Sequence, residues 1–474
     1  MRIEDFEKEK SQIIGSDPEI QTAWLGYLSS FPHVSEFFRS SSQYTNQIGT
    51  VNGRKVGSDI NLFKLFTEQC THLLAKGARC GIVIPSGIYT DLGAVQLRKM
   101  LFQTCRITGL FGFENRKVIF EGVHRSFKFV VLTFETGSST RDFPVAFMRR
   151  DVRDLAEFPS LASLRISPSL VARLSPGSLS IMEFETASDI AVAEKLLLHP
   201  LAGSENEDTW NMSFGAELHM TNDSKVFEKT PGPGLIPLFE GKMVHQFAHT
   251  HASPRYWIEE AAGRAAILGR TEDNDQPLGY QRHRLGFRDI ARNTDTRTLI
   301  AGFVPKSFCG NTLPLVTSPT DYPTQLFISC CLNSFALDWL IRQKVTTHCS
   351  FFYVYQLPIP RLTAAHPDFL PLAERAARLV GTAPEFDDLL KEVFGKTATH
   401  QTHGVTAPQD RLTLRAEIDA LVARLYDLTT EEFQHILTTF PLVDESVKSQ
   451  TLNTYRELVK LGKFASNSAQ HNRP

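Results

Sequence analysis

The stretch FGFENRKVIFEGVHRSFKFVVLTFE, residues 111–135, sets cationic side chains around two phenylalanines. Arg116 and Lys117 come first, then His124, Arg125 and Lys128, with Phe127 and Phe129 among the second group. Cations of this kind neutralise phosphates, and aromatic faces interleaved with them can stack on bases. On the residues alone two readings stay open. Phe127 and Phe129 form a stacking platform, or both are core side chains and the charges a solvated hairpin rim.

A second basic stretch spans residues 280–306. It holds Arg282, Arg284, Arg288, Arg292, Arg297 and Lys306 against Asp289 and Asp295, in a chain of net charge −2. If 282–288 is a strand, Arg282, Arg284 and Arg288 share one face, with Leu285 and Phe287 turned to the core. An arginine row suits phosphates, and a bidentate arginine can read guanine. An Arg–Asp surface network is the alternative. Lys242, His245 and Gln246 in EGKMVHQF are further candidates, set against a structural role for a histidine in a β domain.

Other chemistry finds no support in the spacing. The seven cysteines include no CxxC pair and no ligand spacing with histidine, and read as reduced, mostly buried thiols of a cytoplasmic protein. GRTEDNDQ, residues 269–276, is acidic without the spacing of a calcium loop and reads as a solvated turn. No carboxylate cluster suggests a nuclease, and no serine, cysteine and histidine set has a nucleophile context. The sequence thus names no catalytic residue and no metal ligand.

The elements that must position these residues alternate between helix and strand over residues 58–150. Ser58 or Asp59 caps a helix with Leu62, Leu65, Phe66, Leu73 and Leu74 at helical spacing. RCGIVIP (79–85) follows as a strand, and Thr90 or Asp91 starts a second helix. The strands 106–114 and 127–135 lie close enough to be antiparallel neighbours, and 127–135 is apolar on both faces, as in a covered sheet. Helix–strand alternation argues for an α/β sheet with parallel crossovers. From about 150 to 360 glycine and proline recur between short apolar runs, which predicts a mostly β region closed by a helix over 325–345. Residues 370–465 read as helical, with a Thr429–Glu432 capping box, and the last nine residues as a polar tail.

At 474 residues, two or three domains are expected. The near-neutral balance gives no overall attraction to nucleic acid, so such binding needs a local patch. No signal peptide is recognisable and no apolar run approaches membrane-spanning length, so no membrane partner is expected.

Several phrases together resemble one family. They are DINLFKLFTEQCTHLLAKGARCGIVIPSGIYTD (59–91), the 111–135 stretch, PLFEGKMVHQF (237–247), LGFRDIARNTDTRTLIAGFVP (285–305), and LNSFALDWLIRQKV with FFYVYQLPIP within 332–360. In this order they are similar to adenine-N6 DNA methyltransferases of restriction–modification and phage-defence systems, of the gamma class and type IIG kind. The resemblance implies a Rossmann-like catalytic domain, a target-recognition domain, S-adenosylmethionine as cofactor and duplex DNA as partner. It divides the chain into a partial methyltransferase domain (1–150), a mixed, mostly β target-recognition domain (151–365) and a helical C-terminal segment (366–474).

Such an enzyme needs a glycine-rich cofactor turn and an Asn/Asp-Pro-Pro-aromatic tetrapeptide. This sequence has no adjacent prolines, and its one GxG is Gly232-Pro233-Gly234 in a turn-like context. MRIEDFEKEK is similar to the segment that follows the tetrapeptide. The expectation is therefore the C-terminal portion, or a split subunit, of such an enzyme, with the N-terminal methyltransferase half or a separate subunit as partner and no cofactor bound by this chain alone. A non-catalytic DNA-binding specificity subunit and an inactive truncated remnant are the alternatives. In the resemblance, 106–114 and 127–135 are the final antiparallel pair of the sheet, and their connection borders the pocket for a flipped adenine. Phe127 or Phe129 would stack on that base, and the neighbouring cations would face phosphates. Asp59, Asn61 and Phe63 would border the cofactor, although a capped helix explains them too. With no replacement strand before residue 58, the edge of 79–85 is expected to be open.

Overall fold

Alternating β-branched and aromatic residues give the first half of the chain its sheet. The computed structural model describes residues 3–51, 54–56, 59–159, 163–204, 210–318, 320–345 and 348–470. Ser58, one of the two expected caps, and residues 471–474 of the expected tail lie outside the described residues. The chain divides into two compact units, Met1–Ala187 and Ser188–Pro474.

The first unit opens with two helices, α1 (Ile3–Ser16) and α2 (Pro18–Ser40), none of whose described side chains is buried. A small hairpin follows, β1 (Gly49–Val51) with β2 (Arg54–Val56). Then come α3 (Leu62–Leu73), β3 (Arg79–Pro85), the single turn α4 (Gly87–Thr90) and α5 (Val95–Thr104). Next are β4 (Cys105–Glu114), β5 (Lys128–Thr136), β6 (Phe143–Arg149), β7 (Leu164–Ile166) and α6 (Pro168–Leu174). The five-stranded sheet has the order β3-β5-β4-β6-β7. β5 runs antiparallel to both β3 and β4, and β4 runs parallel to β6. The anticipated antiparallel pair is therefore present, and β3 is an edge strand.

Local starts differ from expectation in one respect. α3 begins after Asn61, whose side chain accepts from Phe63 N at 3.3 Å, rather than after Asp59. On this helix Phe63, Leu65 and Glu68 are buried, whereas Leu62, Phe66 and Leu73, expected on its apolar face, are exposed. Glu68 is buried because it has donors to meet: Asn46 N at 2.9 Å and Gln47 Nε2 at 2.6 Å. After β3 the chain makes the α4 turn before α5 starts at Val95, later than Thr90 or Asp91.

The boundary expected near 150 falls instead near 187. β7 pairs with β6, α6 buries Leu170, Val171 and Leu174, and buried Arg98 donates to Ser178 O at 2.7 Å and Ile88 O at 2.9 Å. These contacts hold residues 151–187 on the sheet unit.

The second unit mixes short strands with helices. After α7 (Ala187–Leu196) come β8 (Phe214–Gly215), β9 (Leu235–Phe239), β10 (Trp257–Glu259), α8 (Glu260–Leu268), β11 (Arg284–Phe287), β12 (Ala301–Val304), β13 (Phe308–Cys309) and β14 (Leu315–Val316). They form two sheets, β12-β11-β14-β8 and β10-β9-β13. The helix anticipated over 325–345 is two, α9 (Tyr322–Asn333) and α10 (Phe335–Arg342), bent by 58° at Ser334. Ser334 causes the break by capping α10, its hydroxyl accepting from Leu337 N at 3.2 Å. Among the described residues no single helix is long and apolar enough to cross a membrane.

The C-terminal helices do not stand apart. α11 (Phe351–Tyr355) and α12 (Phe369–Val380) follow, and Phe369 of α12 packs on Phe327 of α9 at 5.4 Å. Cys330 Sγ donates to Leu372 O at 3.3 Å. The rest is helical, from Asp387 to Gln470, and the Thr429–Glu432 capping box forms as anticipated.

Candidate nucleic-acid interface

β3, β4 and β6 run in the same direction, so their carboxyl ends share one rim of the sheet, where open α/β sheets bind ligands. From that rim β4 continues into a loop that returns to β5. Asn115 organises it. Its Nδ2 donates to Phe120 O at 3.0 Å and Val123 O at 2.9 Å, and its Oδ1 accepts from Phe120 N at 2.9 Å. Its backbone N–H closes the loop on Phe127 O at 2.9 Å. Val118, Phe120, Val123 and Phe127 are all exposed on this loop. Asn115 went unnoticed in the sequence; the only signal was an asparagine directly after a strand, where it commonly closes a turn.

The two phenylalanines separate. Phe129 is 6% exposed, lies opposite Phe113 in the strand register, and stacks on it with ring centroids 5.1 Å apart. It is core, not a platform for a base. Phe127, one residue before β5, is 45% exposed.

The loop's cations differ as well. Arg116 Nε donates to Glu114 at 2.9 Å, Lys117 pairs with Asp151 at 3.0 Å, and His124 Nδ1 lies 2.7 Å from Ser126 Oγ. All three, with Arg125, face solvent. Lys128 is committed elsewhere: it pairs with Glu183 at 2.5 Å, and Tyr89 donates to the same carboxylate at 2.8 Å. That pair ties the 183 segment to the sheet and leaves Lys128 part-buried, unlike the other cations of the loop.

The residues expected to border a cofactor have other partners. Asp59 O accepts from Lys64 Nζ at 2.5 Å, Asn61 caps α3, and Phe63 is buried beside Gly87. A Cβ on Gly87 would lie 3.2 Å from Phe63 Cζ, so this turn has no room to spare. The helix start accounts for all three without a ligand. Gly232-Pro233-Gly234 forms an exposed turn before β9 in the other unit, away from any strand-to-helix crossover.

In the second unit the expected arginine row is not a row. All four residues of β11 are buried, because the strand lies between β12 and β14. Arg284 is therefore internal, paired with Glu217 and donating to Ser307 O at 2.6 Å. An arginine in such a place must be paired, since burying a lone charge is prohibitive. Arg288 is half-buried and donates through Nε to Val244 O at 2.6 Å. Arg297 is buried on Asp338 at 2.5 Å, with its guanidinium 4.1 Å from the Phe335 ring. Lys306 pairs with Asp388 at 3.0 Å. Arg282 and Arg292 are exposed, as is Lys242, which lies 3.7 Å from Glu240. His245 is half-buried and pushed down to about 4, chiefly by burial, with Arg288 and His251 adding to it. Gln246 is buried and donates to Asn333 O at 2.9 Å. Gln246 is thus taken up inside the unit, and His245 is only partly open to solvent. The acidic 269–276 loop is an ion-pair site: Asp273 receives Arg264 at 2.7 and 2.5 Å. Among the described residues no group of side chains is arranged to hold a metal ion.

No family model matches the chain, and no curated protein matches it. Among solved structures its neighbours are restriction–modification enzymes. It is similar to the type IIG restriction endonuclease BpuSI, at 13% identity and TM-score 0.31, over 79% of this chain and 50% of that one. It is also similar to the type IIL restriction-modification enzyme MmeI in complex with DNA, at 10% identity and TM-score 0.38, over 85% and 53%. A third is the DrdV–DNA complex, at 9% identity and TM-score 0.34, over 84% and 52%. The chain spans about half the length of these structures.

Proposed function

We propose that this chain recognises duplex DNA and supplies one end of the sheet of an adenine-N6 DNA methyltransferase of the restriction–modification kind. The observation that carries the reading is the strand order. β5 lies antiparallel between two parallel strands, the arrangement that the sequence resemblance implies for the end of such a sheet, and β3 has no strand on its other side among the described residues. A seven-residue strand with an open edge is a template for another strand. In this reading another segment or a separate subunit continues the sheet there and brings the cofactor turn, the Pro-Pro-aromatic tetrapeptide and the S-adenosylmethionine.

This chain's own residues would then bind and orient. Phe127 offers a face for an extruded adenine, held in place by the Asn115-closed loop. Arg116, Lys117 and Arg125 surround it with charge. Of the cations expected to meet DNA in the second unit, Arg282, Arg292 and Lys242 face solvent and are available to duplex.

The test uses the full chain alone and with a candidate partner. The chain alone should shift duplex DNA at low salt and give no heat of S-adenosylmethionine binding in calorimetry. With the partner co-expressed, adenine N6 should become methylated. Cofactor binding by the chain alone contradicts the division of labour, and failure to bind duplex contradicts the recognition role. Duplex binding that no partner converts to methylation leaves a specificity subunit as the better reading.

A further inference from the structure

We infer that the carboxyl rim of the sheet carries a DNA-backbone surface built from two carboxylate-anchored cation pairs, Arg116 with Arg150 and Lys117 with Arg153. This rests on the DNA-recognition reading and names where in the first unit the phosphates bind. Its origin is the parallel pairing of β4 with β6. Phe113 pairs with Arg149, so the segments that follow, 114–117 and 150–153, leave the sheet side by side.

Two carboxylates tie those segments together. Glu114 accepts from Arg116 Nε and from Arg150 Nε, both at 2.9 Å. Asp151 accepts from Lys117 Nζ at 3.0 Å and from Arg153 Nη2 at 2.6 Å. One carboxylate serving two cations leaves the Arg116–Arg150 node net positive, while at the Lys117–Arg153 node Asp154 also acts on Arg153. That charge is in water: the Arg116, Lys117, Arg150 and Arg153 side chains are 60%, 59%, 49% and 85% exposed. The carboxylates stay ionised. Hydrogen bonds from Arg153 and Lys117 hold Asp151 far below the usual range, and at Glu114 burial opposes ionisation but the Arg150 and Arg116 hydrogen bonds outweigh it.

Anchoring does not exhaust these donors. Arg116 and Arg150, held at Nε, keep their terminal N–H groups for a phosphate oxygen, and Arg153, held at Nε and Nη2, keeps the Nη1 edge. A comparable node, Arg79 and Arg106 on Glu135, lies at the opposite end of the strands, away from the loop. It has the same chemistry in the wrong place, which makes it the control.

The experiment titrates the full chain into fluorescent duplex DNA over a series of salt concentrations. Arg150→Ala/Arg153→Ala should weaken binding and flatten the log K against log salt slope by about two, since each lost phosphate contact removes roughly 0.9. Arg150→Lys/Arg153→Lys should keep most of the slope, and Arg79→Ala/Arg106→Ala all of it. Should the alanine variant melt early, Arg150→Gln/Arg153→Gln, which keeps a donor for each carboxylate without the charge, should flatten the slope by the same amount at wild-type stability, and an unchanged slope there overturns the inference. A wild-type slope and affinity in the Arg150/Arg153 alanine variant overturns the inference while leaving duplex recognition intact. An equal loss in the Arg79/Arg106 variant also overturns it, because bulk charge would then explain both. A wild-type chain that binds no duplex, or only heparin, overturns the recognition role and this surface together.

Discussion

At the rim of the first unit, Arg116, Lys117, Arg150 and Arg153 stand past the ends of strands and reach into water. In the second unit, Arg284 lies in the middle of a covered sheet and Arg297 against the start of a helix, each buried on a carboxylate. Both regions are rich in cations, yet they use them in opposite ways. Exposed pairs of the first kind add little to stability, because water screens them, and leave charge for a partner. Buried pairs of the second kind hold the fold and have none to offer. Whether the backbone around a cation is covered, as at β11, or opens to water, as past β4 and β6, decides which it becomes.

The largest effect should come from breaking a buried pair. Asp338 receives Arg297 Nε at 2.5 Å, Thr298 N at 3.0 Å and Leu299 N at 2.9 Å. Asp338→Ala should cost about 3–5 kcal/mol, because a buried guanidinium and two N–H groups lose their acceptor. Denaturant unfolding followed by circular dichroism measures this, and a loss below 1 kcal/mol would erase the distinction between the regions.

Next come the two phenylalanines. Phe129→Ala should cost about 3–5 kcal/mol through the cavity it leaves, whereas Phe127→Ala should stay within about 0.5 kcal/mol. In a restored methyltransferase the order reverses for a properly folded protein. Phe127→Ala should lower methylation about 10- to 100-fold, from a stacking loss of roughly 1–3 kcal/mol, and Phe127→Trp should keep most activity. A Phe127 variant that methylates normally would reduce the loop to a solvated rim.

A smaller effect concerns acid. Asp419 is buried on the second unit's helices, accepting from Phe335 N at 2.8 Å, and burial pushes it up to about 6 against the pull of Arg297. Its folded value lies above the unfolded one near 3.9, so the native state holds the proton more tightly in that window. Stability therefore falls as pH rises from about 4 to about 6 and is level above. Asp419→Asn should be more stabilising, relative to the natural chain, at pH 7.5 than at pH 4.5, by on the order of 1–3 kcal/mol. Equal differences at the two pH values would refute the assignment.

The smallest change sharpens the exposed side of the comparison. Arg292→Ala should leave stability within about 0.5 kcal/mol and reduce the salt slope of duplex binding by about one. Arg288→Ala, which removes a donor from Val244 O, should instead lower stability.

Much of the sheet unit was legible because its strands are long and apolar on both faces. The 127–135 run announced a covered strand, and its spacing from 106–114 announced the antiparallel neighbour. β7, with three residues, carries no usable period, so the boundary near 187 was not visible. In the second unit, strands of two to five residues give the same difficulty throughout. Alternation correctly placed Arg284 opposite Leu285, but not the layer covering both faces. That depends on Glu217, 67 residues earlier in the chain. The site was half legible: residue types and their loop could be read, but not which phenylalanine was core or which lysine was taken by Glu183.

The paired helices α1 and α2 leave Phe6, Ile13, Ile20, Tyr27, Phe31 and Phe37 all exposed in the native chain. Environment-sensitive dyes such as ANS fluoresce on contiguous apolar surface of this kind, whether or not the protein has unfolded. The folded chain should therefore light up such a dye before heating begins. Its fluorescence would follow the state of these two helices first, while the sheet and the helices of the second unit are still intact.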